Sequence, residues 1–306
     1  MQDAGTDMPR NAVPVSAAWW RDRRGRPLVF AGLLLTLSGL THVLVWWIDG
    51  GPWEGPVTWR KPILFGISGG VTALSAGWAL ARFPARRGDL LLAWSTAVAL
   101  TVEVGLIDLQ RWRGVASHFN RSTPLDSVLY DAMGVLILWV TLVVGDFMVR
   151  SFRQPSGLPA DMRLALQAGL VTLFWSCLLG IWASVYGERQ MMVGQPPERL
   201  GAAGVPKFAH GAVIHALQWL PLVAWAAKRV GFGERRRLWL VWMATLGTVL
   251  LSAYSLLQTL AGRPRVDGSW PLASVLAAAV TLLLVPMAVT LMGLAARPPR
   301  PTSAGG

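Results

Sequence analysis

An all-α polytopic bundle of about eight transmembrane helices, with both termini in the cytoplasm, is the fold this sequence predicts. Three observations predict it. Hydrophobic residues make up 53% of the chain and charged residues 14%, with a mean hydropathy of +0.45, which leaves too little polar surface for a soluble domain. Apolar stretches of roughly 20 residues, the length that crosses about 30 Å of hydrocarbon, recur from end to end. The basic residues fall in short clusters between those stretches, so the net charge of +12 reports topology. The expected partner is the lipid bilayer and not nucleic acid.

The stretches lie near 28–49, 62–81, 90–109, 127–149, 164–186, 208–227, 238–261 and 271–294. They are continuously apolar rather than alternating, and backbone in lipid must satisfy its own hydrogen bonds, so they are helices and not strands. The first follows Arg21, Arg23, Arg24 and Arg26 in the manner of a signal peptide. Its apolar core is too long and no Ala-x-Ala site follows, so it reads as a retained helix. In the second, Gly66 and Gly70 have the small-xxx-small spacing that lets helices approach closely. The fourth starts at Thr123-Pro124-Leu125-Asp126, a capping hydroxyl followed by Pro at the first helical position and a carboxylate three residues after the cap. Near its other end Asp146 is placed to pair with Arg150. The fifth holds Cys177, the sole cysteine, which excludes an intrachain disulfide and any Cys metal site of ordinary spacing. Pro221 in the sixth and Pro286 in the eighth are the only hints of broken helices. Many of the 17 Trp sit near segment ends, among them Trp46, Trp47, Trp53, Trp59, Trp94, Trp112, Trp239, Trp242 and Trp270, as an interfacial belt.

The organisation is a basic cytoplasmic tail at 1–27, one eight-helix domain at 28–294 and a cytoplasmic tail at 295–306. The Pro-, Gly- and Ala-rich ends, 1–15 and 296–306, read as disordered. Of the 28 Lys and Arg, 18 fall on the side that includes both tails and 10 on the other, which puts both termini inside. The strongest marker is the sixth loop, with Lys228, Arg229, Arg235, Arg236 and Arg237.

With that orientation, the ionisable residues within the apolar stretches gather in the outer half: His42, Glu103, Asp108, Asp131, His210 and His215. A charge at this depth costs at least about 2.5 kcal/mol and therefore faces a partner or a cavity. The third loop adds Gln110, Arg113, Ser117, His118 and Asn120, so all four His lie on one side. Glu103, Gln110 and Arg113, at offsets of seven and ten, share a helical stripe and are expected to form a hydrogen-bonded column. The rival for Glu103 is a structural ion pair with Arg113 or Lys207. Ser38 and His42 share a face, as do Gly211, His215 and Gln218. His210 and His215 are about 140° apart on a continuous helix, unsuited to one metal, which sends His210 toward a neighbouring helix or the outer surface.

Three segments resemble a family of uncharacterised bacterial multi-pass membrane proteins. They are Trp59-Arg60-Lys61-Pro62-Ile63-Leu64-Phe65-Gly66-Ile67-Ser68, the run from Arg113-Gly114 through Ser117-His118-Phe119-Asn120 to Thr123-Pro124-Leu125-Asp126, and His210 through His215-Ala216-Leu217-Gln218-Trp219-Leu220-Pro221. The third departs from the family pattern, which carries an acidic residue two before a basic one where this chain has Val205-Pro206-Lys207. The resemblance implies a bacterial inner membrane, marks the same outer-half residues and adds no mechanism.

Three functional classes fit. In the first, a haem or a transition metal is held by neutral imidazoles, with His42, His210 and His215 as candidate ligands and His42 with His215 as the pair on different helices. In the second, a transporter or proton-coupled sensor uses Glu103, Asp131 and the His residues to bind substrate or carry protons. The third is an intramembrane zinc hydrolase, because Ser38-x-x-x-His42 is similar to the Ser-x-x-x-His element of alkaline ceramidases and adiponectin-receptor-like enzymes. Those families place their other two His four apart, where this chain has five, and one zinc needs both on one face. The gathering of all four His on one side favours the first class.

Overall fold

The computed structural model describes residues 19–154, 156–267 and 269–296, and within these the chain is helical, with only an isolated β-bridge between Leu200 and Gly204. The tail segments 1–15 and 297–306 lie outside the described residues. Contacts divide the chain into two compact units, Met1–Pro159 and Ala160–Gly306.

The first unit holds a 3-10 turn, Trp19–Arg21, and helices α1 (Arg26–Asp49), α2 (Arg60–Leu80), α3 (Asp89–Trp112) and α4 (Pro124–Arg153). The second holds α5 (Ala160–Met192), α6 (Pro206–Gly211), α7 (Ala216–Val230), α8 (Glu234–Leu260) and α9 (Trp270–Ala295). Among the described residues seven helices, all but α6 and α7, are long and apolar enough to cross a membrane. Large apolar side chains such as Phe30, Leu37, Trp47 and Val135 are exposed on them, as a lipid-facing surface requires. The chain fits an integral, multi-pass membrane protein.

Backbone contact holds α1 against α2. A Cβ at Gly66 would lie 2.7 Å from the backbone of Gly39, and one at Gly70 would lie 2.7 Å from the carbonyl oxygen of Gly32. Lipid tails give two apolar helices no hydrophobic reason to associate, so close approach through small residues supplies the attraction as dispersion. The second unit uses alanine similarly: Ala165, Ala216, Ala224, Ala227 and Ala244 join Leu220, Val223, Leu240 and Val241 in its core.

The start of α4 has the expected Thr123 cap. Thr123 Oγ1 accepts from Asp126 N at 3.1 Å and donates to the Asp126 carboxylate at 2.7 Å, with Pro124 in the first turn. Thr123→Ala is expected to cost about 1 kcal/mol, the usual value of a lost N-cap, read as a lower thermal midpoint in detergent. Asp146, as its position suggests, meets Arg86 at 3.2 Å and Arg150 at 3.7 Å.

The sixth apolar stretch differs from expectation. It is interrupted between Gly211 and Ala216, which separates the six-residue α6 from α7, while Pro221 and Pro286 lie inside the continuous helices α7 and α9. Hydropathy measures side chains and is blind to this interruption of the backbone.

Candidate functional site

In the first unit the polar residues gather where α3 faces α1 and α4. Glu103, 5% exposed on α3, has neither a hydrogen bond nor an ion pair with the described residues of the first unit. Both expected partners are engaged elsewhere: Arg113 meets Asp126 at 2.8 Å, and Lys207 meets Glu198 at 2.7 Å. Within the first unit, Arg113 therefore does not pair with Glu103. Another carboxylate, Asp108, follows five residues later on the same helix.

Asp108 turns toward α1. Its Oδ2 accepts from Ser38 Oγ at 3.0 Å, and its Oδ1 is buried without a hydrogen-bond partner. One turn further along α1, His42 Nδ1 lies 2.9 Å from the Ser38 carbonyl oxygen, and Trp112 Nε1 donates to His42 Nε2 at 3.1 Å. A carbonyl oxygen only accepts and an indole N–H only donates, so these contacts select the imidazole tautomer with its hydrogen on Nδ1. A metal at Nε2 would have to displace the Trp112 donor. The ring of His42 stacks on Trp59 at 5.8 Å between centroids, Trp59 meets Trp112 edge-on at 4.9 Å, and the Arg111 guanidinium covers Trp59 at 3.8 Å. Trp59 Nε1 donates to Asp49 at 2.7 Å, which completes an aromatic and ionic cap over the ends of α1 and α3.

The expected column divides. Gln110, fully buried, donates to Asp126 Oδ1 at 3.0 Å, and Arg113 donates both to Gln110 Oε1 and to Asp126. Glu103 is not part of this network. Ser117 and Asn120 are buried in the following loop, where Ser117 Oγ lies 3.0 Å from His118 Nδ1 and Asn120 binds the Ala116 carbonyl and the Ser122 amide. His118 sits between Phe65 and Tyr130, at 5.6 and 6.1 Å. These contacts shape the loop, which also holds Phe119 at φ +56°. Asp131 points outward, 62% exposed and paired with Arg121 at 2.8 Å. Residue spacing alone does not reveal the central role of Asp126, whose sequence signal is a helix cap, or the part Trp59 and Trp112 play around His42, since interfacial Trp are common.

In the second unit the helix interruption falls between the two remaining His. His210 Nδ1 lies 2.7 Å from the Ser176 carbonyl oxygen on α5, and Ser176 Oγ donates to the His210 carbonyl at 2.9 Å. Ser176 thus reaches a carbonyl beside the break, as irregular backbone at membrane depth requires. Gly180 makes room for the ring, since a Cβ there would lie 3.0 Å from Nδ1. His215 precedes the first turn of α7, where it meets Gln218, and the break separates both from Gly211, which the expected stripe includes. His42 belongs to one unit, and His210, His215 and Gln218 belong to the other. Among the described residues no three of His, Cys, Asp and Glu are grouped so as to hold a metal ion.

No protein-family model matches this chain, and neither a curated protein nor a solved structure is similar to it.

Proposed function

We propose that the chain is a proton-coupled membrane transporter in which Glu103 and Asp108 carry the proton. The observation that carries this reading is Glu103: a carboxyl group buried within a membrane-length helix, with no donor and no cation beside it among the described residues of the first unit. A charge so placed costs several kcal/mol unless a proton removes it, so taking up and losing a proton is the chemistry open to the residue. Asp108, Ser38 and His42 continue from it as groups that accept and donate hydrogen toward the ends of α1 and α3. The broken α6–α7 segment favours a transporter over a passive sensor, since interrupted helices supply backbone groups for substrate at membrane depth.

With the broken α6–α7 segment counted as an eighth crossing beside the seven membrane-length helices, the reading places the protein in a bacterial inner membrane with both termini cytoplasmic, supported by the 18-to-10 distribution of Lys and Arg and by the three motif segments. Glu103, Asp108 and His42 then lie in the outer half, and the cap of Trp59, Trp112 and Arg111 closes their outer end.

The test is proton movement into liposomes that contain the purified protein and a trapped pH-sensitive dye. Under an imposed pH gradient, wild type is expected to collapse the gradient faster than empty liposomes, and Glu103→Gln to return the rate to that of the empty ones. Equal rates for wild type, variant and empty liposomes would reject the transporter reading.

A further inference from the structure

We propose that the two units are copies of one helical module, and that Glu103 and Asp108 are additions to the first copy that its fold does not need. That these additions serve proton exchange rests on the function proposed above. The helices pack in the same order in both units. In the first, α1 packs on α2, and α3 packs on both of them and on α4; in the second, α5 packs on α7, and α8 packs on both of them and on α9. The interrupted α6–α7 segment takes the part of α2.

Short motifs recur at matching places. Trp78-Ala79-x-x-Arg82 closes α2 and Trp225-Ala226-x-x-Arg229 closes α7, with the guanidinium over the indole at 5.3 Å in one and 5.2 Å in the other. Helix α3 ends in Leu109-Gln110-x-x-x-Gly114 and α8 in Leu257-Gln258-x-x-x-Gly262. Both Gln are fully buried, and each donates forward along the chain, Gln110 to Asp126 at 3.0 Å and Gln258 to the Pro264 carbonyl at 3.1 Å. The backbone carbonyl of each accepts the amide of the residue after the glycine at 3.0 Å. The first turns of α4 carry Pro124-Leu125-x-Ser127-Val128-Leu129, and those of α9 carry Pro271-Leu272-x-Ser274-Val275-Leu276. Pro at a helix start and Gly past a helix end follow local rules, but no local rule asks for the Trp, Gln, Leu, Ser and Val around them.

Packing keeps the same register. Aligning Gln110 with Gln258 puts Trp94 on Trp242, each 51% exposed, and Leu109 on Leu257, 46% and 50% exposed. It also puts Asp89 on Arg237. Each of these binds an opposite charge at the amino-terminal end of its unit's first long helix, Arg24 at 3.0 Å and Asp161 at 2.8 Å, so the ion pair is kept with its signs exchanged. On α1 the His42 imidazole reaches the carbonyl of Ser38, four residues before it. On α5 the residue four after Ser176 is Gly180, and His210 of α6 fills the space beside it and brings its imidazole to the Ser176 carbonyl instead. In this register Glu103 and Asp108 fall on Leu251 and Leu256, both partly buried. The second copy builds the same helix with apolar side chains at those positions, so the carboxylates are not part of the shared framework.

The experiment compares full-chain variants by thermal midpoint in detergent and by proton movement into liposomes. Glu103→Leu/Asp108→Leu is expected to melt at or above the wild-type midpoint and to lose the proton movement. Gln110→Leu and Gln258→Leu, at the position both copies retain, are each expected to lower the midpoint by about 5 °C, because each leaves buried polar partners unpaired. A carboxylate variant that melts as low as the Gln variants would overturn the proposal, as would a drop for one Gln variant and none for the other. Wild type that moves no protons would reject the functional reading alone, while the midpoints would still decide whether the carboxylates belong to the framework.

Discussion

Asp89→Asn is expected to destabilise the first unit by about 3–5 kcal/mol, the range for breaking one side of a buried ion pair. Asp89 is 4% exposed at the start of α3. Its Oδ1 accepts from Arg150 at 2.9 Å, and its Oδ2 accepts from Arg24 at 3.0 Å and from the Arg86 amide at 2.9 Å. Arg150 is 1% exposed, lies 5.0 Å from the Phe83 ring centre and donates to the Pro84 carbonyl at 3.0 Å. One carboxylate therefore joins the residues before α1, the loop before α3 and the end of α4. With Asn in its place, the buried Arg150 guanidinium keeps only the longer contact with Asp146 at 3.7 Å as an ion pair. The double variant Asp89→Asn/Arg150→Met should recover part of the loss, because an apolar side chain of similar length leaves no charge stranded. Thermal unfolding in detergent, followed by circular dichroism, checks both. A change of less than about 0.5 kcal/mol for the single variant would mean that the cluster behaves as a solvated surface pair.

Gly66→Leu is expected to cost about 3 kcal/mol, the upper end of overpacking penalties. The new Cβ would meet the Cα and amide nitrogen of Gly39 at 2.7 Å and the Leu35 carbonyl oxygen at 2.9 Å. All three are backbone atoms within α1, so no rotamer change relieves the clash and the helices must separate. Gly105→Leu on α3 is the matched control, since a Cβ at Gly105 meets nothing within 4 Å. The pair is read by thermal midpoint: a large drop for Gly66→Leu with little change for Gly105→Leu supports the close approach, and equal drops contradict it.

These two features are legible in the sequence to different degrees. Gly66 and Gly70 stand out by spacing, but Gly32 and Gly39, which they meet on α1, gain meaning only once the partner helix is known. Spans, the Thr123 cap and the pairing of Asp146 are legible because each rests on local composition or on a spacing of three or four residues. The role of Asp89 is not, because Arg24 and Arg150 lie 65 and 61 residues away in sequence. Helical periodicity correctly puts Gln110 and Arg113 on one stripe, yet it cannot show that Asp126 takes both and leaves Glu103 outside their network. The 140° separation of His210 and His215 applies only to a continuous helix, and the backbone breaks between them. His210 nonetheless reaches a neighbouring helix, through Ser176 on α5.

Proton exchange at Glu103 is tested most directly by pH-difference infrared spectroscopy of the protein in lipid. Wild type is expected to show a carboxylic-acid carbonyl band that changes with pH, is absent from Glu103→Gln and shifts in Asp108→Asn. A spectrum with no pH-dependent carboxylic-acid band in wild type, or one that Glu103→Gln leaves unchanged, would contradict proton exchange at this residue.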